Sequence, residues 1–549
     1  MPQLSQLIRV VALMIVLTSI GTAQTPIEIS GVDSSIAENI RLHLKTLPNP
    51  DPKTSLEEIK KAIAPYGYFE PTIHLEKSKV NIELGRPIRI VSMNIEIEGP
   101  GKTEPTLVHY LQNLPLKIGG IVNTIAYQKM KRELYHLAEQ RGYRDAATTQ
   151  SSITIDKKTY TAIITIRFST GPQYRIGPVH FDTDLLTNEL LQRYRPFTLG
   201  DPLTSKQLIQ LQDNLANSGY FESIQIEPKI SKTHAHSIPI DVHLKLKKPH
   251  QLTYGIGYGT DTSIRGTLGW DWRRINSSGH QLKTLIQVSP IQSTSQISYL
   301  IPGFDPVTSQ WSLSTAGYRI HYPTIYSLAS QTTLSYAIHK ESWQRTIALN
   351  ALYEDYEGTL EPNRNAFIVF PSLHWQIKKS DELLNPKNGY SVTLNFSGGS
   401  QKIIGDVDVI KSDVAFKWLY SLTDDARISL QGNVGILSTP DIFQLPPTLR
   451  FYAGGMQNLR GYSYQSVGPG KDLIIGSLDV QHRVYDKWWL GGFYDIGNVG
   501  DSFVHDLKRD YGMLIERETP IGPIRVGIAR AIDHNDNQWR FIFSMGPNL

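Results

Sequence analysis

The sequence predicts three tandem α+β modules followed by a transmembrane antiparallel β-barrel of about sixteen strands. A Gly-Tyr step recurs at Gly67, Gly142 and Gly219, and the spacings of 75 and 77 residues indicate a repeated unit of about 76 residues. All nine tryptophans lie after residue 250, where alternating polar and apolar residues continue to the end of the chain. The boundary between the two architectures is placed at Lys247-Lys248-Pro249-His250.

Composition excludes several classes of protein. The 549 residues include no cysteine, so there is no disulfide framework, thiolate metal site or cysteine nucleophile. A formal charge of +4 gives no reason to expect nucleic-acid binding. A mean hydropathy of -0.26 excludes a bundle of many transmembrane helices, but not a barrel, in which only alternate residues face lipid.

The first 23 residues have the pattern of a secretory signal. Arg9 precedes an apolar run from Val10 to Ile20, and Gly21-Thr22-Ala23 forms a small-x-small cleavage site. The apolar run is too short to cross a bilayer as a helix, although a short N-terminal anchor is the alternative interpretation. We therefore expect residues 1–23 to be removed on export.

Each Gly-Tyr step follows an amphipathic helix, and strands follow it. The three glycines suit the left-handed position just after a helix, where a Cβ would clash. Thr54-x-x-Glu57 and Thr204-x-x-Gln207 have the pattern of capping boxes at helix starts. A unit of one strand, two helices and two strands buries its core by laying the helices on one sheet face.

Residues 250–549 are predicted to form the barrel. Val392, Leu394 and Phe396 would share one face of a strand, with polar residues between them. Such strands also occur in soluble sandwiches, but segments of nine to eleven residues and aromatics near strand ends favour a membrane barrel. The alternating Trp539, Phe541 and Phe543 at the end would meet the first strand and remove the sheet edges.

The element order with its Gly-Tyr turn resembles the POTRA domain. Three copies would occupy residues 24–86, 87–170 and 171–249, and their sheet edges would offer unpaired backbone groups to an extended client. The modules could also merely space the barrel from another component.

A motif in the barrel resembles the loop-six signature of the BamA/TamA outer-membrane insertase superfamily. Its core is Leu459-Arg460-Gly461-Tyr462, and Asp479 and Asp495 lie on segments that look like the two acidic strands of that family. The flanking apolar residues of both aspartates would face lipid, so parity directs the acids into the lumen. If the loop folds inward, the Arg460 guanidinium suits both carboxylates, which would pin the loop; the alternative is an Arg460 exposed at the loop tip.

The join between the first and last strands is predicted to be a weak seam. Interior glycines weaken strand packing, and proline removes a backbone donor. The residues in question are Tyr254, Gly255, Ile256 and Gly257 on one side and Phe541, Phe543, Gly546 and Pro547 on the other. The Gly-x-Gly pattern at 255–259 lacks the helix that a dinucleotide loop requires, and no catalytic motif, cofactor site or metal site is expected.

The resemblance implies a TamA-like function in the outer membrane of a Gram-negative cell, with the modules in the periplasm. It implies insertion of outer-membrane protein clients such as autotransporters, contact with outer-membrane lipid, and a TamB-like partner anchored in the inner membrane. The alternatives are a two-partner secretion transporter, disfavoured because that family usually carries two such modules, and a passive outer-membrane channel.

Overall fold

The computed structural model describes residues 28–45, 51–76, 79–230, 236–359, 361–382, 384–520, 522–533 and 539–545. The predicted signal segment and two predicted seam residues, Gly546 and Pro547, lie outside these ranges. No helix within them is both long and apolar enough to span a membrane.

Three successive groups of elements each contain a strand, two helices and two strands. The first has β1 (Glu28–Ser30), α1 (Ser34–Lys45), α2 (Pro52–Ile63), β2 (Thr72–Glu76) and β3 (Lys79–Glu83). The second has β4 (Arg89–Glu98), α3 (Pro105–Gln112), α4 (Thr124–Glu139), β5 (Ala147–Asp156) and β6 (Thr161–Ser169). The third has β7 (Arg175–Asp182), α5 (Asn188–Gln192), α6 (Ser205–Asn217), β8 (Phe221–Pro228) and β9 (Ser237–Leu246). The order agrees with the predicted α+β module.

The three small sheets have the same topology. Their strand orders are β1-β3-β2, β4-β6-β5 and β7-β9-β8, so the last strand of each group is central. In the first two groups the opening strand runs parallel to the central strand and the remaining strand runs antiparallel to it. One face is covered by helices: in the second group Met130 and Leu134 of α4 share a buried cluster with Ile164 and Ile166 of β6.

The repeated glycines have the left-handed conformation, with φ of 91° at Gly67, 81° at Gly142 and 79° at Gly219. The first two also contact the group that follows. The Gly67 carbonyl accepts a hydrogen bond from the Ile88 amide at 2.9 Å, and the Gly142 carbonyl accepts one from the Tyr174 amide at 2.8 Å. A Cβ on Gly142 would lie 2.6 Å from the Tyr174 carbonyl oxygen, so this position requires glycine for space as well as for conformation.

One predicted helix start is wrong. The Thr204–Gln207 capping box forms, with the Gln207 amide donating to the Thr204 hydroxyl at 3.3 Å and the Thr204 amide donating to the Gln207 carboxamide at 3.2 Å. Thr54, however, lies inside α2, which begins at Pro52 with Asp51 as its cap. Proline favours the first helical position because it lacks an amide, and the Asp51 carboxylate accepts from the Thr54 amide at 2.6 Å.

The rest of the chain forms the predicted 16-stranded antiparallel barrel, whose strands neighbour one another in sequence order. The strands are β10 (His250–Gly259), β11 (Ser263–Trp272), β12 (Gln281–Val288), β13 (Gln292–Pro302), β14 (Ser309–Tyr322), β15 (Ile325–Lys340), β16 (Trp343–Gly358), β17 (Glu361–Ser380), β18 (Gly389–Gly399), β19 (Val409–Thr423), β20 (Ala426–Ser438), β23 (Asp472–Tyr485), β24 (Trp488–Gly500), β25 (Lys508–Arg517), β26 (Ile524–Ala531) and β27 (Trp539–Met545). Two short strands, β21 (Phe451–Ala453) and β22 (Val467–Gly470), pair with each other inside the connection from β20 to β23.

Strand length varies around the barrel. β16 has 16 residues and β17 has 20, whereas β12 and β26 have 8 each.

Alternate residues of β25 illustrate the two faces: Asp510, Leu514 and Glu516 are buried, while Met513 and Ile515 are exposed on the opposite face. The wall therefore has an apolar outer face, as lipid contact requires.

Candidate functional site

The predicted motif lies on the connection between β20 and β23, residues 439–471, which we call loop six. Leu459 is fully buried in a cluster that also contains Phe451, Ala453 and Tyr462 from the same loop. The Tyr462 hydroxyl donates to the Arg509 carbonyl at 3.5 Å, which ties this turn to β25. The loop therefore lies against the inner wall of the barrel with Arg460 buried, 3% exposed.

Arg460 binds both predicted acids. Its Nη2 donates to Asp479 Oδ1 on β23 at 2.6 Å and to Asp495 Oδ1 on β24 at 2.6 Å, and its Nε donates to Asp495 Oδ2 at 2.8 Å. The Arg460 backbone amide adds a bond to Asp495 Oδ2 at 3.1 Å. Asp495 is fully buried, whereas the Asp479 side chain is 18% exposed. The bidentate Arg460–Asp495 contact fixes the orientation of the loop as well as its position.

Two neighbours of Arg460 were not predicted. The Arg460 guanidinium carbon lies 3.6 Å from the centroid of the Phe493 ring, and Ser477 donates a hydrogen bond to Asp495. Phe493 and Ser477 each lie two residues before one of the acids, so strand parity places them on the same inner face. The same parity argument could have placed Phe493 and Ser477 on the inner face from the sequence, but the prediction was limited to the two acids.

The groups around Arg460 stabilise its charged guanidinium. Burial alone would disfavour the charged guanidinium, but the bonds to Asp495 and Asp479 outweigh it and raise the pKa of Arg460 above its usual value. A buried cation with two carboxylates and an aromatic face is fully compensated. Removal of Arg460 would leave the buried Asp495 carboxylate without its cation.

Gly461 allows the loop to approach the wall. A Cβ at this position would lie 2.6 Å from the Cβ of Asp510 and 2.8 Å from the Ala531 amide nitrogen. Asp510 is directly opposite Asp495 in the β24–β25 pairing and is fully buried. No side chain larger than hydrogen fits at Gly461 without moving the loop away from β25 and β26.

Loop six is also bonded to the opposite wall. The Glu354 carboxylate on β16 is fully buried and accepts from the Thr448 amide at 3.3 Å and the Thr448 hydroxyl at 2.6 Å. The Tyr356 hydroxyl donates to the Gln444 carbonyl at 2.9 Å. These contacts, which the sequence did not predict, hold the loop across the lumen between β16 and β23–β25.

A second ion network joins β20, β25 and β26. Arg427 on β20 donates to Glu516 on β25 at 2.5 Å, and Arg525 on β26 donates to the same carboxylate at 2.9 Å. Arg427 and Glu516 are 2% and 0% exposed, and the Arg427 guanidinium carbon lies 4.1 Å from the centroid of the Trp489 ring. Parity counted from Asp510 would have placed Glu516 on the inner face, but no sequence pattern indicates its partners.

The predicted seam lies between β10 and β27. β10 pairs with β11 and β27 pairs with β26, and within the described residues no backbone ladder joins β10 to β27. The contacts between the two sides include the Thr260 hydroxyl, 3.4 Å from both the amide nitrogen and the carbonyl oxygen of Phe543, and the rings of Tyr258 and Phe543, whose centroids are 6.1 Å apart.

Several of the predicted seam residues have exposed side chains. Tyr254 is 87% and Ile256 90% exposed, and Phe541 is 54% exposed. Gly255 and Gly257 are not crowded: the nearest atoms to an added Cβ lie 4.0 and 3.5 Å away. Glycine is therefore not required there for space, and the apolar side chains next to it face outward.

Comparison with known proteins identifies the family of both parts of the chain. Residues 275–548 match the Omp85 superfamily domain, and residues 26–85 match the first POTRA domain of TamA. The chain is 27% identical over 175 residues to the outer membrane protein assembly factor BamA of Nitratidesulfovibrio vulgaris, and 23% identical over 151 residues to BamA of Buchnera aphidicola. These matches cover 28% and 27% of this chain, and only 22% and 24% of the relatives.

A solved structure shows the same fold. BamA from Haemophilus ducreyi lacking POTRA domains 1–3 aligns with a TM-score of 0.70 at 14% identity, over 83% of this chain and 98% of that chain. The chain is an outer-membrane barrel protein with N-terminal POTRA domains in the periplasm. It belongs to the Omp85 superfamily, which includes BamA and TamA, and its first periplasmic module is of the TamA type.

Proposed function

We propose that this chain inserts other outer-membrane proteins, autotransporters among them, by letting a client strand add to the seam between β10 and β27. The observation that carries the proposal is the missing ladder between these two strands in the described residues. An unpaired backbone group costs several kcal/mol in hydrocarbon, so a client strand that pairs with β10 removes this cost on both chains. The reaction requires no nucleotide or other cofactor.

The POTRA modules would receive the client, and a TamB-like partner, before insertion. The edge strand β5 supports this role, because it pairs only with β6 in its sheet and most of its residues are exposed. An extended polypeptide can join such an edge through backbone hydrogen bonds. A photocrosslinker at Gln150 of β5 would identify what binds there in living cells.

A covalent lock across the seam tests the proposal. The substitutions Tyr258→Cys and Phe543→Cys place two thiols where the rings are neighbours, and the chain has no cysteine of its own to interfere. In vesicles containing the purified protein, oxidation should slow folding of an autotransporter barrel by about tenfold or more, and reductant should restore the rate. The folding rate is read from the gel mobility of the client without heating.

A matched lock controls for the disulfide itself. Trp311→Cys and Tyr336→Cys join two residues that already face each other across the β14–β15 ladder, with ring centroids 4.7 Å apart. This pair should leave client folding unchanged. Full activity with the seam locked would refute the proposal, and free passage of small solutes without client folding would identify a passive channel instead.

A further inference from the structure

Loop six contacts both sides of the seam. On the first side, the hairpin between β10 and β11 carries Asp261, whose Oδ2 accepts a hydrogen bond from the Met456 amide of loop six at 2.8 Å. On the second side, the Met456 side chain packs against a buried cluster of Phe493, Leu514, Ala529 and Ile542. Ile542 belongs to β27, so Met456 contacts the first hairpin through its amide and packs against a cluster that includes the last strand.

Asp261 also faces the last strand directly. Its Oδ1 lies 3.9 Å from Nη2 of Arg540 on β27, and the two side chains are 15% and 23% exposed. This Asp261 oxygen is buried without a hydrogen-bond partner among the described residues. One carboxylate therefore binds the backbone of loop six with one oxygen and attracts the last strand with the other.

The backbone of loop six is shaped for this approach. Gly455 has a φ of 107°, and a Cβ there would lie 2.9 Å from Asp261 Oδ2. A side chain at position 455 would push the loop away from the hairpin, and the left-handed φ also favours glycine. We call Asp261, Gly455, Met456 and Arg540 the seam clasp.

We propose that the seam clasp, rather than strand pairing, holds the seam closed, and that Asp261 is the positioning residue that couples loop six to the seam. The direct contacts between β10 and β27 are few, whereas each side has a partly buried contact with loop six. Opening the seam would then require the 454–456 segment to leave one side. This inference rests on the proposed function for the seam's role, but its test requires no client.

The test measures closure in lipid nanodiscs without client. The reporter is the rate of disulfide formation between Tyr258→Cys and Phe543→Cys under a fixed oxidant, which falls as the seam opens. Asp261→Ala and Met456→Ala should each slow it by about tenfold, the effect of losing one well-made contact. Because both act through one clasp, the double variant should be no slower than the slower single variant.

A matched control and a milder variant complete the design. Asp408→Ala removes another loop carboxylate that accepts a backbone amide, from Gln401 at 3.0 Å, and should leave the rate unchanged. If Asp261→Ala does not fold, Asp261→Asn removes the attraction for Arg540 and should still slow the reporter. Unchanged rates in the Asp261 and Met456 variants, or effects that multiply in the double variant, would overturn the clasp. A slowed reporter with unchanged client insertion would instead count against the proposed function.

Discussion

The guanidinium carbon of Arg460 lies 3.6 Å from the centroid of the Phe493 ring, while its nitrogens bind Asp479 and Asp495. This arrangement fixes the position of loop six against the inner wall. The aromatic face stabilises the cation, and Arg460 and Asp495 are shielded from solvent inside the barrel.

Arg460→Ala should destabilise the barrel by about 3–5 kcal/mol, because it leaves the buried Asp495 carboxylate without its cation. Urea unfolding followed by tryptophan fluorescence measures the change, since all nine tryptophans follow residue 250. Arg483→Ala is the control, because it breaks an exposed pair with Asp425 and should change the midpoint little. Equal losses in the two variants would show that the lumen cluster stabilises the barrel no more than an exposed ion pair does.

Asp495→Asn should cost more stability than Asp479→Asn. Asp495 accepts three hydrogen bonds from Arg460 and is fully buried, whereas Asp479 accepts one and is partly exposed. We expect a loss of about 3 kcal/mol for the first variant and about 1 kcal/mol for the second in the same unfolding experiment. The reverse order would mean that Asp479 is the main anchor of loop six.

Gly142→Ala should destabilise the second module more than Gly219→Ala destabilises the third. Both glycines have a φ near 80°, so both variants bear left-handed strain of about 1 kcal/mol. Only at Gly142 would the new Cβ approach a backbone oxygen, that of Tyr174, while Gly219 has open space around it. Hydrogen exchange of the preceding helices in the full chain measures the difference, and equal loss of protection would contradict the steric explanation.

Acid should weaken the start of α2 through Asp51. Hydrogen bonds from Thr54 lower the pKa of the Asp51 carboxyl in the folded state. A lowered folded pKa means that this stabilisation is present above the ordinary aspartate pKa and is lost as the pH falls below about 4. Exchange protection of the first turn of α2, corrected for intrinsic rates, should fall in that range.

Asp51→Asn supplies the comparison for the acid experiment. Asparagine keeps the capping acceptor but carries no titratable charge. The pH dependence of protection in the first turn of α2 should therefore disappear in this variant. If it persists unchanged, another group causes it.

The sequence predicted the features that depend on local period. Alternation located the barrel strands, and the Gly-Tyr repeat located the modules. Parity placed Asp479 and Asp495 on one face because their apolar neighbours face outward. These signals are contained in short segments, which is why a single sequence is enough to read them.

The contacts of loop six could not be predicted in the same way. Met456 and Asp261 are 195 residues apart, and Thr448 and Glu354 are 94 apart, and neither pair shares a pattern. They meet only because the barrel wall curves around one loop and brings distant strands to it. The cap of α2 was mispredicted for a simpler reason, since Asp51 and Thr54 both offer capping oxygens and Pro52 decides between them.

The long β16–β17 hairpin has a practical consequence. Because the modules lie in the periplasm, β10 begins at the periplasmic side of the membrane. The seventh and eighth barrel strands, β16 and β17, therefore meet in a turn outside the cell. Twenty residues of β17 measure about 68 Å when extended, and about 50 Å along the barrel axis after tilting, against about 30 Å of hydrocarbon. An epitope inserted beside Thr359 would thus stand clear of the lipid surface, where antibodies on intact bacteria could report folding and orientation.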